Sequence, residues 1–189
     1  EGLLIIDGTL YDIVDNPLSN LTLEVWFDNT RLTNVTTDSA GNFQVFFPVP
    51  QDSPLGPQMM VIKFTGSTFY LPSETNTSWN VYSAVNVDLT LPLEIAINDE
   101  IIIQGTVRDN LPEGWLFNHS LEVRFNGTLL GTAYSDINGV WSIEWTIPNN
   151  IGLGSHAVEV YSPAQGWYRE ASTNGTIWVA HHASLLLTS

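Results

Sequence analysis

The chain has 189 residues, of which 43% are hydrophobic and 13% are charged, a composition typical of one large or two average globular domains. Its 20 acidic residues outnumber 5 Lys and Arg, giving a net charge of −15. This shortage of basic residues argues against nucleic acid and anionic lipid headgroups as partners. The absence of cysteine excludes disulfides, thiolate metal ligands and cysteine nucleophiles. No stretch approaches the about 18 consecutive apolar residues of a membrane span, so no membrane insertion is expected in this segment.

Apolar and polar residues alternate with a period of two along the first half of the chain, as in Leu21–Phe27, and this pattern predicts half-buried β-strands. Gly, Pro, Asn or Asp residues bound each run. No segment shows the period of an amphipathic helix. In chain order, the predicted strands are Leu3–Tyr11, Leu21–Phe27, Arg31–Thr37, Asn42–Phe47, Met59–Thr65, Ser78–Ser83 and Val85–Leu91.

The second half of the sequence repeats the first with a period of about 98 residues. After a one-residue insertion in the first loop of the second copy, the register runs without a gap. We therefore predict two domains, 1–93 and 94–189, with the boundary between Pro92 and Asp99. The matched segments are Gly8–Asp12 with Gly105–Asp109, Leu23–Phe27 with Leu121–Phe125, Asp38–Phe43 with Asp136–Trp141, Tyr70 with Tyr168, and Leu89–Thr90 with Leu187–Thr188.

Seven short strands in each copy of about 95 residues favour an immunoglobulin-type sandwich over a barrel. The predicted fold class is therefore all-β, with two tandem immunoglobulin-like antiparallel β-sandwich domains. Tyr70 and Tyr168 precede a late strand, where such sandwiches often bury a tyrosine whose hydroxyl bonds to the backbone. The sequence begins without Met and stops where the first copy passes into the second, so we expect it to be part of a longer array.

Several turn and core motifs carry a family resemblance: Ile6–Thr9, Thr37–Phe43, Phe64–Gly66 and Tyr70–Ser73. These segments resemble the bacterial Ig-like repeats of prokaryotic (archaeal or bacterial) cell-surface proteins. The second copy departs from them at one step, where Glu170-Ala171 replaces Pro-Ser. The resemblance implies a stalk, surface-layer or adhesin segment, whose partners would be neighbouring repeats of the same longer chain, and it brings no catalytic residues.

Asn-X-Ser/Thr sequons are about twice as frequent as abundance alone would give. Asn20 aligns with Asn118 and Asn76 with Asn174, so two sequons recur at equivalent positions of the repeat. Glycosylation is one interpretation, and the other is that Asn and Thr are simply common in the turns of β-proteins. The candidate sites are Asn20, Asn34, Asn76, Asn118, Asn126 and Asn174.

Acidic residues also concentrate in loops expected to share one end of the first domain, which suggests calcium at the hinge. Clustered carboxylate and amide oxygens suit this cation, which takes about six to eight ligands. The alternative is that Asp at the start of a turn bonds its own backbone. The candidate ligands are Asp12, Asp15, Asp38 and Glu74 of the loops, with Asn98, Asp99 and Glu100 of the linker.

Three tryptophans are candidates for stacking on sugars. By register, Trp26 and Trp178 point away from the core, and Trp115 lies in the loop that differs between the copies. Such residues can equally pack on a neighbouring domain or stand singly on a surface. Trp141 and Trp145 fall on the inward face and are predicted to belong to the core.

Catalytic patterns find little support in the sequence. An adjacent pair on a strand, such as His181-His182, points its rings to opposite faces. With His156, this pair does not make the spacing of metal-binding ligands. Lys63, the lysine that an isopeptide bond would need, is predicted to point outward.

We therefore expect a non-enzymatic spacer of an extracellular surface protein without a cofactor. The alternative is an adhesion module that binds glycans or proteins through the exposed tryptophans or the interdomain cleft, and an enzyme accessory domain is a third possibility.

Overall fold

The computed structural model of the chain describes residues 2–111 and 114–183. These residues form fourteen β-strands joined by turns, and none of them forms an α-helix. The strands are β1 (Gly2–Thr9), β2 (Thr22–Phe27), β3 (Thr30–Thr36), β4 (Asn42–Val49), β5 (Gly56–Phe64), β6 (Ser73–Val81), β7 (Val85–Thr90), β8 (Glu94–Ala96), β9 (Glu100–Asp109), β10 (Ser120–Phe125), β11 (Thr128–Tyr134), β12 (Val140–Thr146), β13 (Gly154–Ser162) and β14 (Ala171–Ala180). Over the described ranges there is accordingly no helix long and apolar enough to cross a lipid bilayer.

The first compact unit, Glu1–Val81, has two sheets that face each other across an apolar core. One sheet has the order β3-β2-β5-β6, and the other pairs β1 with β4. Alternate residues of β2 face inward, so that Leu23 and Val25 are buried while their neighbours are not. At one end of this core the rings of Phe27, Phe47 and Trp79 pack together, with centroids 4.9 to 6.4 Å apart.

The second unit, Tyr82–Ser189, has the same arrangement with two additional strands. One sheet has the order β11-β10-β13-β14-β8, and the other has the order β12-β9-β7. All pairs are antiparallel except β8, which runs parallel to β14. The fully buried residues include Ile103, Trp141 and Val160. As predicted, Trp145 packs on this core, with its ring 4.6 Å from that of Phe125.

Strand β7 accounts for a difference between the predicted and the observed division of the chain. The prediction ended the first domain at residue 93 and gave it Val85–Leu91 as its last strand. In the structure, Val85–Thr90 pairs with β9 of the second unit, and the boundary between the compact units falls in the chain between Val81 and Tyr82. Strands β1 to β6 correspond to β9 to β14, whereas β7 and β8 form one connection that adds to both sheets of the second unit.

Equivalent loops in the two units are closed by equivalent hydrogen bonds. In the first unit, the N–H of Leu10 donates to the carbonyl of Gly41, and the N–H of Leu18 donates to the carbonyl of Leu10, both at 2.9 Å. In the second unit, Val107 makes the same two bonds with Gly139 and Leu116. The internal repeat therefore preserves the backbone hydrogen bonds of these loops.

A buried hydroxyl group completes each of these loops. The Thr37 hydroxyl donates to the carbonyl of Leu18 at 2.7 Å and accepts from the N–H of Leu21 at 3.0 Å. Ser135, its equivalent, donates to the carbonyl of Leu116 and accepts from the N–H of His119. Because Thr37 and Ser135 are 3% and 4% exposed, these bonds satisfy groups that water does not reach.

The prediction that both repeat tyrosines are buried is wrong for Tyr70, which is 38% exposed. Tyr168 packs on the core of its unit and meets His119 edge-on, with centroids 6.0 Å apart. The residues around these positions also differ between the copies, since the first unit has the buried Phe64 where the second has the small, buried Ser162.

Candidate functional site

Two acidic residues of the proposed hinge site, Asp12 and Asp38, are engaged by the turns in which they lie. Asp12 accepts hydrogen bonds from the N–H of Val14 and from both the backbone and the side chain of Asn16, all at 2.9 Å. These bonds, with those from Asn16 strongest, hold the pKa of the Asp12 carboxyl below its ordinary value. Asp38 likewise accepts from the N–H groups of Ala40 and Asn42.

Asp99 has the same kind of role in the second unit. It accepts from the N–H of Ala96 at 2.9 Å and lies 2.8 Å from Nε2 of His182. The bond from Ala96, followed by that from His182, lowers the pKa of the Asp99 carboxyl. Within residues 2–111 and 114–183, no group of three or more His, Cys, Asp or Glu side chains converges as a metal site. Calcium binding by Asp12, Asp15, Asp38, Asn98, Asp99 and Glu100 remains a sequence prediction.

All six sequon asparagines have exposed side chains. The recurring pair Asn20 and Asn118 also shares a backbone conformation, with φ of 55° and 54° two residues before the start of β2 and β10. Asn126 differs from the others, because its Nδ2 atom lies 2.8 Å from Nδ1 of His156 and its Oδ1 atom accepts from the N–H of Ala157. The exposure of these residues is compatible with glycosylation, which remains a prediction.

The three candidate tryptophans have different surroundings. Trp178 on β14 is 55% exposed. Trp115 is 44% exposed and lies against the turn at Gly139, where an added Cβ would come within 2.9 Å of its ring. Trp26 is half-buried, with the Lys63 ammonium 5.1 Å from its ring centroid. Of the three, Trp178 is the most accessible and Trp26 has one face covered.

The environment of Lys63 confirms that it points outward. Its side chain is 39% exposed and lies 3.5 Å from the Glu74 carboxylate. The indole N–H of Trp26 donates to Glu24 at 3.0 Å, and Glu24 in turn pairs with Arg31. These partners form a charged outer face on the larger sheet of the first unit.

An exposed aromatic pair that the sequence analysis missed lies in the second unit. The rings of Tyr82 and Trp167 are 5.6 Å apart, and the Arg169 guanidinium lies 5.6 Å from the Tyr82 ring centroid. Ser83 holds the two segments together, since its N–H donates to Trp167 and its carbonyl accepts from Arg169. Tyr82 and Trp167 are 43% and 38% exposed. Trp167 aligns with another aromatic residue, Phe69, but Tyr82 aligns with Ala180, so the repeat did not indicate that the two rings meet.

His119 is a titratable group in the interior. It is 4% exposed, and burial lowers the pKa of its imidazole. Its Nε2 atom lies 2.7 Å from the hydroxyl of the fully buried Ser162. Because the site is enclosed and the described contacts of the ring are with the Ser162 hydroxyl and the Tyr168 ring, this arrangement fits a structural hydrogen bond better than a nucleophile activated for catalysis.

No protein-family model and no curated protein sequence matches the chain. Among solved structures, the ICAM-5 D1–D4 ectodomain fragment is similar with a TM-score of 0.57 and 11% identity, over 94% of this chain and 50% of that one. A structure concerning host cell surface retention of a 1.5-MDa bacterial ice-binding adhesin matches with a TM-score of 0.42 and 14% identity, over 96% and 59%. The structure of the Yersinia pseudotuberculosis adhesin InvE matches with a TM-score of 0.35 and 17% identity, over 93% of this chain and 54% of that one.

The chain thus spans 50 to 59% of the length of these three structures. The likeness to the ICAM-5 fragment, at 11% identity, concerns the fold alone. Together with the sheet order, it confirms the predicted fold class. The chain consists of two tandem immunoglobulin-like β-sandwich domains.

Proposed function

We propose that the chain is a non-enzymatic structural module of an extracellular adhesin-type or surface-layer protein, in which tandem Ig-like domains act as spacers. The observation that carries this proposal is what the two copies share. The loop hydrogen bonds made by Gly41 and Thr37 in the first unit are made by Gly139 and Ser135 in the second. Several exposed groups of the candidate sites are not shared, since Trp178 aligns with Asn80 and Lys63 with Tyr161. The repeat has therefore preserved a scaffold rather than a surface site.

The composition supports an extracellular spacer in two further ways. Only 5 Lys and Arg residues leave few cleavage points for trypsin-like proteases. The net charge of −15 favours solubility and discourages close association of like-charged neighbours. Neighbouring repeats of the same longer chain would be the partners of such a module, and the exposed sequons would suit a glycoprotein of an archaeal or eukaryotic host.

Single-molecule pulling tests the spacer function directly. The full chain, held by handles at both termini, is expected to unfold in two discrete events. Extended chain measures about 3.3–3.6 Å per residue, so Glu1–Val81 and Tyr82–Ser189 should release roughly 270–290 Å and 360–390 Å before subtraction of the folded lengths. Gradual extension without discrete events would contradict a mechanical spacer function.

The aromatic pair of the second unit favours glycan binding as a second candidate function. Tyr82 and Trp167 offer exposed rings beside the Arg169 cation, and such groups can stack on a sugar and bond its hydroxyls. Titration with soluble surface polysaccharides, followed by tryptophan emission, tests this function. A saturable change that Trp167→Ala abolishes and Trp178→Ala preserves would support it. An unchanged emission, or loss with both variants, would contradict it.

A further inference from the structure

Within residues 2–111 and 114–183, no strand pairs with the outer edge of β1, whereas a strand does pair with the equivalent edge of β9. In the described residues, β1 pairs with β4 alone, whereas β9 pairs with β12 on one side and with β7 on the other. Since β1 and β9 are equivalent in the repeat, the second unit shows what the edge of β1 can accept. An unpaired edge of this kind presents backbone groups that can bond an added strand.

The backbone of β1 is aligned for such an addition. Leu10 uses its own N–H and C=O on Gly41 and Leu18, and backbone groups of successive residues in a strand point to opposite sides. Thr9 and Tyr11 therefore direct their N–H and C=O groups to the outer edge. The same argument applies around Val107 in the second unit.

The second unit shows the register of the addition. There, Thr106 and Arg108 are the equivalents of Thr9 and Tyr11, and they pair with Asp88 and Asn86 of β7. The Thr106 hydroxyl also bonds the Asp88 carboxylate at 3.0 Å. A strand on β1 in this register would meet Thr9 at its centre.

Burial beside the edge also differs between the units. Ile103 and Val107 are 0% exposed, and Val87 and Leu89 of β7 pack against the core that contains them. Their equivalents in the first unit, Ile6 and Leu10, are only half-buried. An added strand with apolar residues at alternate positions would bury this remaining surface.

The sequence contains a second copy of β7 to supply that strand. Residues 183–188 align with Val85–Thr90, and they place Leu185 and Leu187 where β7 has Val87 and Leu89. The segment carries no charge, whereas β7 carries Asp88. In a chain of net charge −15, an uncharged strand avoids repulsion from the carboxylates near β1.

We propose that β1 of one chain binds residues 183–188 of a second copy as an antiparallel strand, in the register that β7 adopts on β9. Donor and acceptor are different surfaces of the chain, so the contact is head-to-tail and each copy can both give and receive a strand. Such contacts form open series or closed rings of copies rather than symmetric dimers. This proposal does not depend on the spacer function.

Sedimentation velocity of the full chain, from micromolar to millimolar concentration, tests the association. The wild type is expected to show a sedimentation coefficient that rises with concentration. Leu187→Asp places a charge on the face that would enter the core, so this variant is expected to stay monomeric. Leu186→Asp is the matched control, because it reproduces Asp88 on the outward face, and it should associate like the wild type.

Hydrogen exchange on the same samples locates the contact. The amides of Thr9 and Tyr11 should become protected as the concentration rises, while those of Thr106 and Arg108, already paired with β7, should be protected throughout. Four results would overturn the proposal: a wild type that is monomeric at millimolar concentration, association of Leu187→Asp equal to that of wild type, loss of association in Leu186→Asp, or protection of Thr9 and Tyr11 in a monomer.

One more variant distinguishes association through the edge of β1 from association through the outer face of its sheet. Leu3, Ile5 and Phe46 form an exposed apolar group on the outer face of β1 and β4, and exposed groups of this kind can also mediate association. Phe46→Asp should leave the association unchanged. If Phe46→Asp abolishes the association and Leu187→Asp does not, the face rather than the edge of this sheet joins the copies, and the proposal is wrong.

Discussion

His119 and Ser162 form a buried polar pair inside the second unit, with 2.7 Å between Nε2 and the hydroxyl oxygen. At the equivalent positions the first unit has Leu21 and Phe64, of which Phe64 is buried in the apolar core and Leu21 packs against that core. One sandwich therefore encloses a titratable group where its repeat encloses only hydrocarbon. The two units should differ in their response to acid.

We expect the stability of the second unit to fall as the pH drops below about 6.5, the ordinary pKa of histidine. Burial lowers the pKa of His119 in the folded state, so in this range the unfolded chain binds the proton first and unfolding becomes more favourable. The stability contributed by the neutral ring is fully present above that pH and is lost progressively as the pH approaches the lowered value. Urea unfolding of the wild type between pH 5 and 8 would measure the effect.

His119→Leu, which copies Leu21 of the first unit, provides the control for this titration. It should reduce the pH dependence of the second transition over the same range, even if it also changes the absolute stability. An unaltered pH dependence in this variant would assign the effect to other groups.

The two equivalent isoleucines near the edge strands should differ in their contribution to stability. Ile103→Ala should cost about 2–5 kcal/mol of unfolding free energy, the usual range for a buried aliphatic side chain, because Ile103 is 0% exposed. Ile6→Ala should cost clearly less, since Ile6 is only half-buried. Urea unfolding at low protein concentration would give both values, and equal costs would contradict this account of the edges.

Gly105→Ala should weaken the attachment of β7. A Cβ at this position would clash with the carbonyl group of Asp88 and come within 2.8 Å of the Trp141 ring. Overpacking of this kind costs about 1–3 kcal/mol. Gly152→Ala is the control, because a Cβ there would meet no atom within 4 Å. Thermal unfolding should show a loss for Gly105→Ala and little change for Gly152→Ala, and equal effects would show that β7 does not restrict Gly105.

Thr37→Val should destabilise the first unit by about 1–3 kcal/mol, the cost of leaving buried polar groups without partners. The change keeps the shape of the side chain but removes the bonds to the carbonyl of Leu18 and the N–H of Leu21. Thr37→Ser retains the hydroxyl and imitates Ser135 of the second unit, so it should cost less. Chemical denaturation compares the two variants, and a harmless Thr37→Val would show that these groups find other partners.

The alternation of residues in Leu21–Phe27 was sufficient to predict a strand there, because one face of that strand is buried and the other meets solvent. Val85–Leu91 was also correctly predicted as a strand, but its alternation could not indicate which sheet it joins. A period of two specifies the faces of a strand and carries no information on its neighbours. The repeat did not help, since it fixes the period of the sequence but not the point at which one folded unit ends.

The surface groups show the same distinction between local and long-range information. Register placed Trp26 outside the core, but the cover that Lys63 provides comes from a neighbouring strand, where diagonal side chains are within reach. Tyr82 and Trp167 meet because separate segments pair through Ser83. Neither partner can be read from the residues near it in sequence, which is why the aromatic pair was missed.

The position of β7 determines how the chain can be cut. A fragment that starts at residue 94, following the sequence repeat, would retain β8 to β14 but lose the strand that covers β9, leaving Ile103 and Val107 without that neighbour. A fragment that starts at Tyr82 keeps every strand of its unit. Expression of the second domain by itself should therefore begin twelve residues earlier than its homology suggests.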